Sequence, residues 1–166
     1  FLNQRIDPEP ILKEMKEIAA ADSHNKVVSL MRRSGQSIGL MAGFDNANGE
    51  YIATLDGDVQ NDPDDLVGML EKLESEDLDM VVGWRKKRWT GNFVRRIPSL
   101  LANLIISKSF KSVNIHDAGC PVKVAKSTVI KEIKLYGELH RFFTYIASEH
   151  GARIGEVEVT HRERVV

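Results

Sequence analysis

The sequence predicts an α/β fold, a mostly parallel open sheet with helices on both faces. Three observations predict it. Short apolar runs alternate along the chain with stretches whose apolar residues recur at helical spacing. The runs are nearly continuous in apolar residues, as expected of strands buried on both faces. One of them, Tyr51-Ile52-Ala53-Thr54-Leu55, stops abruptly on Asp56-Gly57-Asp58 and leads into a helix start, which is one unit of a parallel sheet.

The elements follow in order. Ile11, Leu12, Met15 and Ile18 mark a helix over residues 10–21, which the polar break Asp22-Ser23-His24-Asn25 ends. A strand is expected over 26–31. Gly35-Gln36-Ser37 opens a second helix carrying Leu40, Met41 and Phe44, and Asn48-Gly49 closes it. After the strand at 51–55, Pro63 with Asp62, Asp64 and Asp65 makes a helix start: proline suits the first turn and carboxylates suit its positive end. Leu66, Met69, Leu70 and Leu73 then repeat at helical spacing, and a strand at 79–82 ends at Gly83. Arg85-Lys86-Lys87-Arg88 begins a basic loop. Residues 98–110, with Leu100, Leu101, Leu104, Ile105 and Ile106, form a helix apolar around its circumference, suited to the core or to an apolar partner. A short helix near 126–133, a longer one at 138–150 and a strand at 153–160 complete the pattern, with no internal repeat.

A chain of 166 residues with 42% hydrophobic content is sized for one domain with a real core, residues 1–166. Its 23 Lys and Arg nearly balance 24 Asp and Glu, so no global field favours a polyanion and no nucleic-acid role is supported. The single Cys120 excludes an internal disulfide and a multi-cysteine zinc site, and reads as a buried small hydrophobe. No apolar run reaches the roughly 20 residues of a membrane span, and the first residues lack the order of a signal peptide. This stretch of chain is therefore expected to be soluble by itself.

The chemistry concentrates at Asp56 and Asp58. Strand alternation sends both to one face at a carboxyl end, where open α/β sheets bind ligands, with Gln60 next on that face. Hard oxygen donors of this kind suit Mg²⁺ or Mn²⁺ on the phosphates of a nucleotide substrate. Asp-Gly-Asp by itself could equally make a turn; the strand before it and the helix start after it favour the site. An EF-hand loop is excluded, because Asn61 and Val67 stand where Gly and Glu are required.

Read together, these segments resemble family 2 glycosyltransferases of the A-type fold, in particular the polyprenyl-phosphate branch. The resemblance rests on Gly35-Gln36-Ser37, Ala42-Gly43-Phe44, Ala47-Asn48-Gly49-Glu50-Tyr51 and the run from Leu55 through Asp56-Gly57-Asp58-Val59-Gln60-Asn61-Asp62 to Pro63. It continues in Val82-Gly83-Trp84-Arg85, Asp117-Ala118-Gly119-Cys120, Glu138-Leu139-His140-Arg141-Phe142 and His161-Arg162-Glu163-Arg164. It implies a metal-dependent, inverting transfer of a hexose from a nucleotide diphosphate sugar, of UDP-glucose or GDP-mannose type, to a dolichyl or undecaprenyl phosphate. It also implies work at the cytoplasmic face of a membrane, with homo-oligomerisation left open.

By that resemblance Asp56, Asp58 and Gln60 hold Mg²⁺ or Mn²⁺, and Asp58 counts with Asp117 among the catalytic residues. Arg85 faces the donor phosphates, with Arg95 or Arg96 as a second arginine. A solvated basic loop is the competing reading of residues 85–88. Asp117 matches the proposed general base, although an anionic phosphate acceptor needs little help from a base and the residue could position acceptor or metal instead. His140, Arg141 and Arg164 match acceptor-phosphate anchors, arginine offering bidentate contacts; a structural histidine is an equal reading of His140. Residues 100–106 would guide the lipid or fill the core.

The departures matter too. The family's opening strands, with Pro-x-Tyr-Asn-Glu and Asp-Asp-Gly-Ser, have no counterpart here, Ser34 replaces the usual Asn, and the closing Gly-x-Ser-Lys-Tyr is missing. A catalytic domain truncated at both ends, lacking its N-terminal strands, is the expectation. Two rivals stand beside it: a family 2 enzyme with a saccharide acceptor, and a non-catalytic binding or assembly module. A haloacid-dehalogenase phosphatase also places Asp-x-Asp after a strand, but Gln60 stands where that family has Thr or Val.

Overall fold

The computed structural model describes residues 8–86 and 115–162. In chain order the described elements are α1 (Pro8–Ala21), α2 (Gly35–Asn46), β1 (Tyr51–Thr54), α3 (Asp65–Ser75), β2 (Met80–Trp84) and β3 (Lys123–Lys126). They continue with α4 (Ser127–Glu132), a 3₁₀ turn (Leu139–Phe142), α5 (Phe143–Glu149) and β4 (Ile154–Glu158). The strands form one open sheet in the order β1-β3-β2-β4. β3 runs antiparallel to both β1 and β2, and β2 runs parallel to β4, so three strands share one direction and β3 opposes them.

The α/β class therefore holds, with a mixed sheet. Consecutive residues of a strand point to opposite faces, and Met80, Val81, Val82 and Gly83 are all buried, so both faces of β2 are covered. α3 packs against β2, β3 and β4. Its Met69 and Leu73 are almost completely buried, as their spacing predicts. Phe44 of α2 meets Phe143 of α5 with ring centroids 5.6 Å apart, joining α2 to the same core.

Three expectations need correction. Residues 26–31 form no strand: they pair with no strand among the described residues, and Val28, Leu30 and Met31 are exposed. A β-branched apolar run supplies propensity, whereas a ladder needs a partner's donors and acceptors. β3 was not expected, because Lys123 and Lys126 break the apolar pattern of its four residues. The helix expected over 138–150 is a 3₁₀ turn followed by the seven-residue α5. At that turn the His140 amide donates to Ser37 Oγ of α2 at 3.1 Å, outside the helical ladder. The helix expected at 98–110 lies outside the described residues. Among the described residues no helix is long and apolar enough to cross a membrane.

At the amino end of β2, Asp79 ties three strands together. It accepts hydrogen bonds from the Arg153 amide at 2.9 Å, from Arg153 Nε at 3.0 Å and from Lys126 Nζ at 2.9 Å. These bonds, led by those from Arg153, hold the Asp79 carboxyl well below the usual carboxylate range. A depressed folded pKa contributes stability above the unfolded value of about 3.9 and loses it as pH falls below that. Asp79→Asn is thus expected to lower Tm by roughly 2–4 °C at pH 7. In thermal melts of wild type and variant, the gap should close as the pH falls below about 4.

Candidate active site

The carboxyl ends of β1 and β2 lie at the same edge of the sheet. The loop after β1 brings Asp56 and Asp58, the residues after β2 bring Arg85, and the turn before β3 brings Asp117. Gly83 sets the approach: a Cβ there would lie 2.8 Å from Val159 Cγ2 and 3.1 Å from Cys120 Sγ. Only a residue without a side chain lets the chain after β4 and the turn at Cys120 close on β2 just before Arg85.

Arg85 and Asp117 form a buried bidentate pair, Nε to Oδ2 at 2.7 Å and Nη2 to Oδ1 at 2.9 Å, with both side chains less than a tenth exposed. Burial alone would lower the Arg85 pKa, but the bonds and charge of Asp117 outweigh it and hold it above the ordinary value. Asp56 adds to the same field. The competing reading of Arg85 as a solvated loop residue is thereby removed, whereas Lys86 beside it is exposed.

Further fixed charge lies beneath the pair. Lys123 sits opposite Thr54 of β1 and Val82 of β2, and its ammonium donates to the Cys120 carbonyl. Burial pushes the Lys123 pKa down to about 8, while Cys120, Asp117 and Asp56 act in the opposite direction. Cys120 is completely buried, as expected, and burial raises its thiol pKa. Glu156 of β4 closes the arrangement: the Asp117 amide donates to its Oε1 at 2.9 Å, and His116 Nδ1 lies 2.7 Å from its Oε2.

The acidic loop is shaped by a turn and not by strand alternation. β1 ends at Thr54, and Val59 adopts φ 61°, a strained conformation for a β-branched residue. That turn brings the Gln60 amide to Asp58 Oδ1 at 3.2 Å. The chain beyond β4 straps the loop: Asn61 bridges His161, the Arg162 amide donates to the Gln60 carbonyl at 2.8 Å, and the Arg162 guanidinium pairs with Asp62. Asp56 is exposed and Asp58 partly so, which leaves them accessible to solute.

This donor set fits a divalent cation. Among the described residues no three His, Cys, Asp or Glu side chains gather into a closed metal cage. Mg²⁺ is commonly held by one or two carboxylates, with substrate phosphates and water filling the other positions. Asp56 and Asp58, with the Gln60 amide oxygen, match that pattern.

The other candidates fall apart from this cluster or outside it. His140 is half-buried, with Nδ1 3.1 Å from the hydroxyl of the fully buried Ser37, so it anchors the 3₁₀ turn to α2. Arg141 is exposed and pairs with Glu138 at 3.1 Å. Arg95, Arg96 and Arg164 lie outside the described residues. Sequence reasoning missed Lys123, His116 and Glu156. A lysine between Val122 and Val124 was a signal for the first, while nothing in the alternation around Glu156 separates it from the exposed Glu158.

Comparison with known proteins places this geometry. The model of "Glycosyl transferase family 2" matches residues 7–133. A dodecaprenyl-phosphate galacturonate synthase of Rhizobium johnstonii is 46% identical over 141 residues, which cover 84% of this chain and 41% of that protein. An undecaprenyl-phosphate 4-deoxy-4-formamido-L-arabinose transferase of Shewanella sediminis is 35% identical over 150 residues, covering 89% and 44%. The chain spans less than half the length of either relative. Among solved structures, a glucosyl-3-phosphoglycerate synthase of Mycobacterium tuberculosis superposes with a TM-score of 0.65 at 16% identity, covering 90% of this chain and 57% of that one. That likeness establishes the glycosyltransferase A-type fold. With the family model matching most of its length, the chain belongs to glycosyl transferase family 2.

Proposed function

We propose that residues 1–166 are the catalytic domain of an enzyme that transfers a sugar from a nucleoside diphosphate donor to a polyprenyl phosphate at the cytoplasmic face of a membrane. The observation that carries this reading is the meeting of the acidic loop with the buried Arg85–Asp117 pair at one sheet edge, in a family 2 chain. The acceptor class comes from the two relatives, whose names each join a polyprenyl phosphate to a sugar.

The reaction is a single displacement. An acceptor phosphate oxygen attacks the anomeric carbon, the bond from that carbon to the donor diphosphate breaks, and the electron pair leaves on the diphosphate oxygen. A divalent ion held by Asp56, Asp58 and Gln60 would neutralise charge on that diphosphate. Arg85 presents a fixed cation to the same charge, needing no reorganisation as it develops. Asp117 spends both oxygens on Arg85, so its proposed task is to hold that guanidinium rather than to take a proton. The acceptor is already anionic and needs none removed. Arg95 or Arg96 is proposed as a second donor-phosphate ligand. His140, Arg141 and Arg164 are proposed to face the acceptor.

The test uses the full-length protein in detergent, with labelled UDP- and GDP-sugars, undecaprenyl or dolichyl phosphate, and Mg²⁺ or Mn²⁺. Label is expected in the lipid phase only with metal and the lipid phosphate present. Transfer to a saccharide without lipid phosphate would reject the acceptor. Absence of both binding and transfer across the donor panel would reject the enzyme.

A further inference from the structure

We propose that Glu156 is a positioning residue that sets the Arg85 guanidinium through Asp117. The inference rests on the reading of Arg85 as the group facing the donor diphosphate. It goes beyond that reading by assigning a role to a side chain on a third strand.

The geometry is a clamp on two adjacent residue pairs. Trp84 ends β2 and Arg85 follows it, and His116 and Asp117 stand across from them. Trp84 stacks on His116 with ring centroids 4.4 Å apart and planes 17° from parallel, while Arg85 binds Asp117 through two hydrogen bonds. Glu156 holds the second pair from β4, one oxygen on the Asp117 amide and the other on His116 Nδ1. Its own position is fixed by the parallel ladder that sets Glu156 beside Val82, three residues before Arg85. Its side chain is 11% exposed, so water competes weakly for these bonds.

This arrangement solves a problem of connectivity. Residues 115–118 carry no ladder of their own; the turn before β3 fixes the Asp117 carbonyl, which accepts from the Cys120 amide at 2.9 Å, and leaves its amide to an external acceptor. Thr144 Oγ1 of α5 binds the next carbonyl, that of Ala118, at 2.9 Å. Glu156 supplies the acceptor on the Asp117 side. Shortening Glu156 by one methylene withdraws that acceptor while keeping its charge; exchanging it for glutamine keeps reach and an oxygen while losing the charge. Positioning therefore predicts an unusual order, with Gln ahead of Asp.

The experiment compares Glu156→Asp, Glu156→Gln and Glu156→Ala in the full-length protein by two readouts. One is the Nε–H resonance of Arg85 in protein labelled with ¹⁵N-arginine, assigned with Arg85→Lys. The Arg153 Nε–H, just before β4 and bound to Asp79 just before β2, reports that β4 is still docked. The other is kcat and donor KM. Glu156→Asp and Glu156→Ala are expected to lose the Arg85 resonance, keep that of Arg153 and lower kcat about 10- to 100-fold with little change in KM. Glu156→Gln is expected to keep the resonance and stay within about threefold of wild type in kcat. An aspartate variant with wild-type resonance and kcat, or a glutamine variant falling as far as aspartate, would overturn the proposal. Glutamine preserves the side-chain size, so it decides the question even where the shorter variants fail to fold. Absence of transfer by the wild type would overturn the activity instead, and the resonance arm would still read Glu156.

Discussion

Asp56→Asn and Asp58→Asn, made singly in the full-length protein, are expected to lower kcat by about 10²-fold or more while leaving Tm within a degree or two of wild type. Each change removes a charged oxygen from a proposed ligand set that supplies only two carboxylates, and asparagine keeps size and shape. Stability is expected to be spared because the Asp56 side chain is exposed, where solvent screens its attraction for Arg85 and Lys123. Asp58 accepts from the Gln60 amide at 3.2 Å, a bond that the side-chain oxygen of asparagine can keep. Steady-state transfer at saturating donor with a Mn²⁺ titration checks the prediction, together with a melt of each variant. Full metal-dependent turnover by Asp58→Asn would remove the acidic pair from the mechanism.

Asp117→Ala is expected to act on stability first. It leaves the Arg85 guanidinium buried without its partner, which costs about 3–5 kcal/mol where a buried ion pair is broken from one side. Replacing both charges by apolar residues of similar size, Arg85→Met with Asp117→Leu, should restore most of that stability, because desolvation and pairing nearly cancel in the intact pair. Activity should remain lost in the double variant, since the guanidinium proposed to face the diphosphate is gone. Urea melts and transfer assays on the two singles and the double form the cycle that tests this. A double variant as unstable as Asp117→Ala would show that neighbouring contacts, and not the ion pair, hold this turn. An active double variant would free Arg85 from the chemistry.

The sequence by itself determined the α/β class and singled out the candidate site. Helical spacing in α2 and α3 follows from which residues must face a core, a local property that survives translation into structure, whereas α1 forms as its spacing predicts but leaves Met15 and Ile18 exposed. Tyr51 to Thr54 followed by Asp56 and Asp58 marked the acidic loop because an apolar strand can end on two carboxylates only where the sheet opens to solvent or ligand. Cys120 as a buried apolar group was legible for the same reason.

Only the tertiary structure decided the partners. Residues 26–31 carry strand propensity but find no ladder among the described residues, whereas Lys123 to Lys126, less apolar, become the strand between β1 and β2. Pairing depends on what lies alongside, which propensity does not encode. The chemistry of Arg85 changed likewise: its place in a basic loop suggested solvent, but the fold sets it against Asp117, 32 residues away, and removes both from water. Glu156 and Glu158 differ by two positions on one strand. One binds the site and the other pairs with the exposed Lys86, because side-chain alternation is common to both and only the packed neighbours distinguish them. Charge, burial and contact over long sequence separation are properties of the assembled sheet, and there the function of this chain is set.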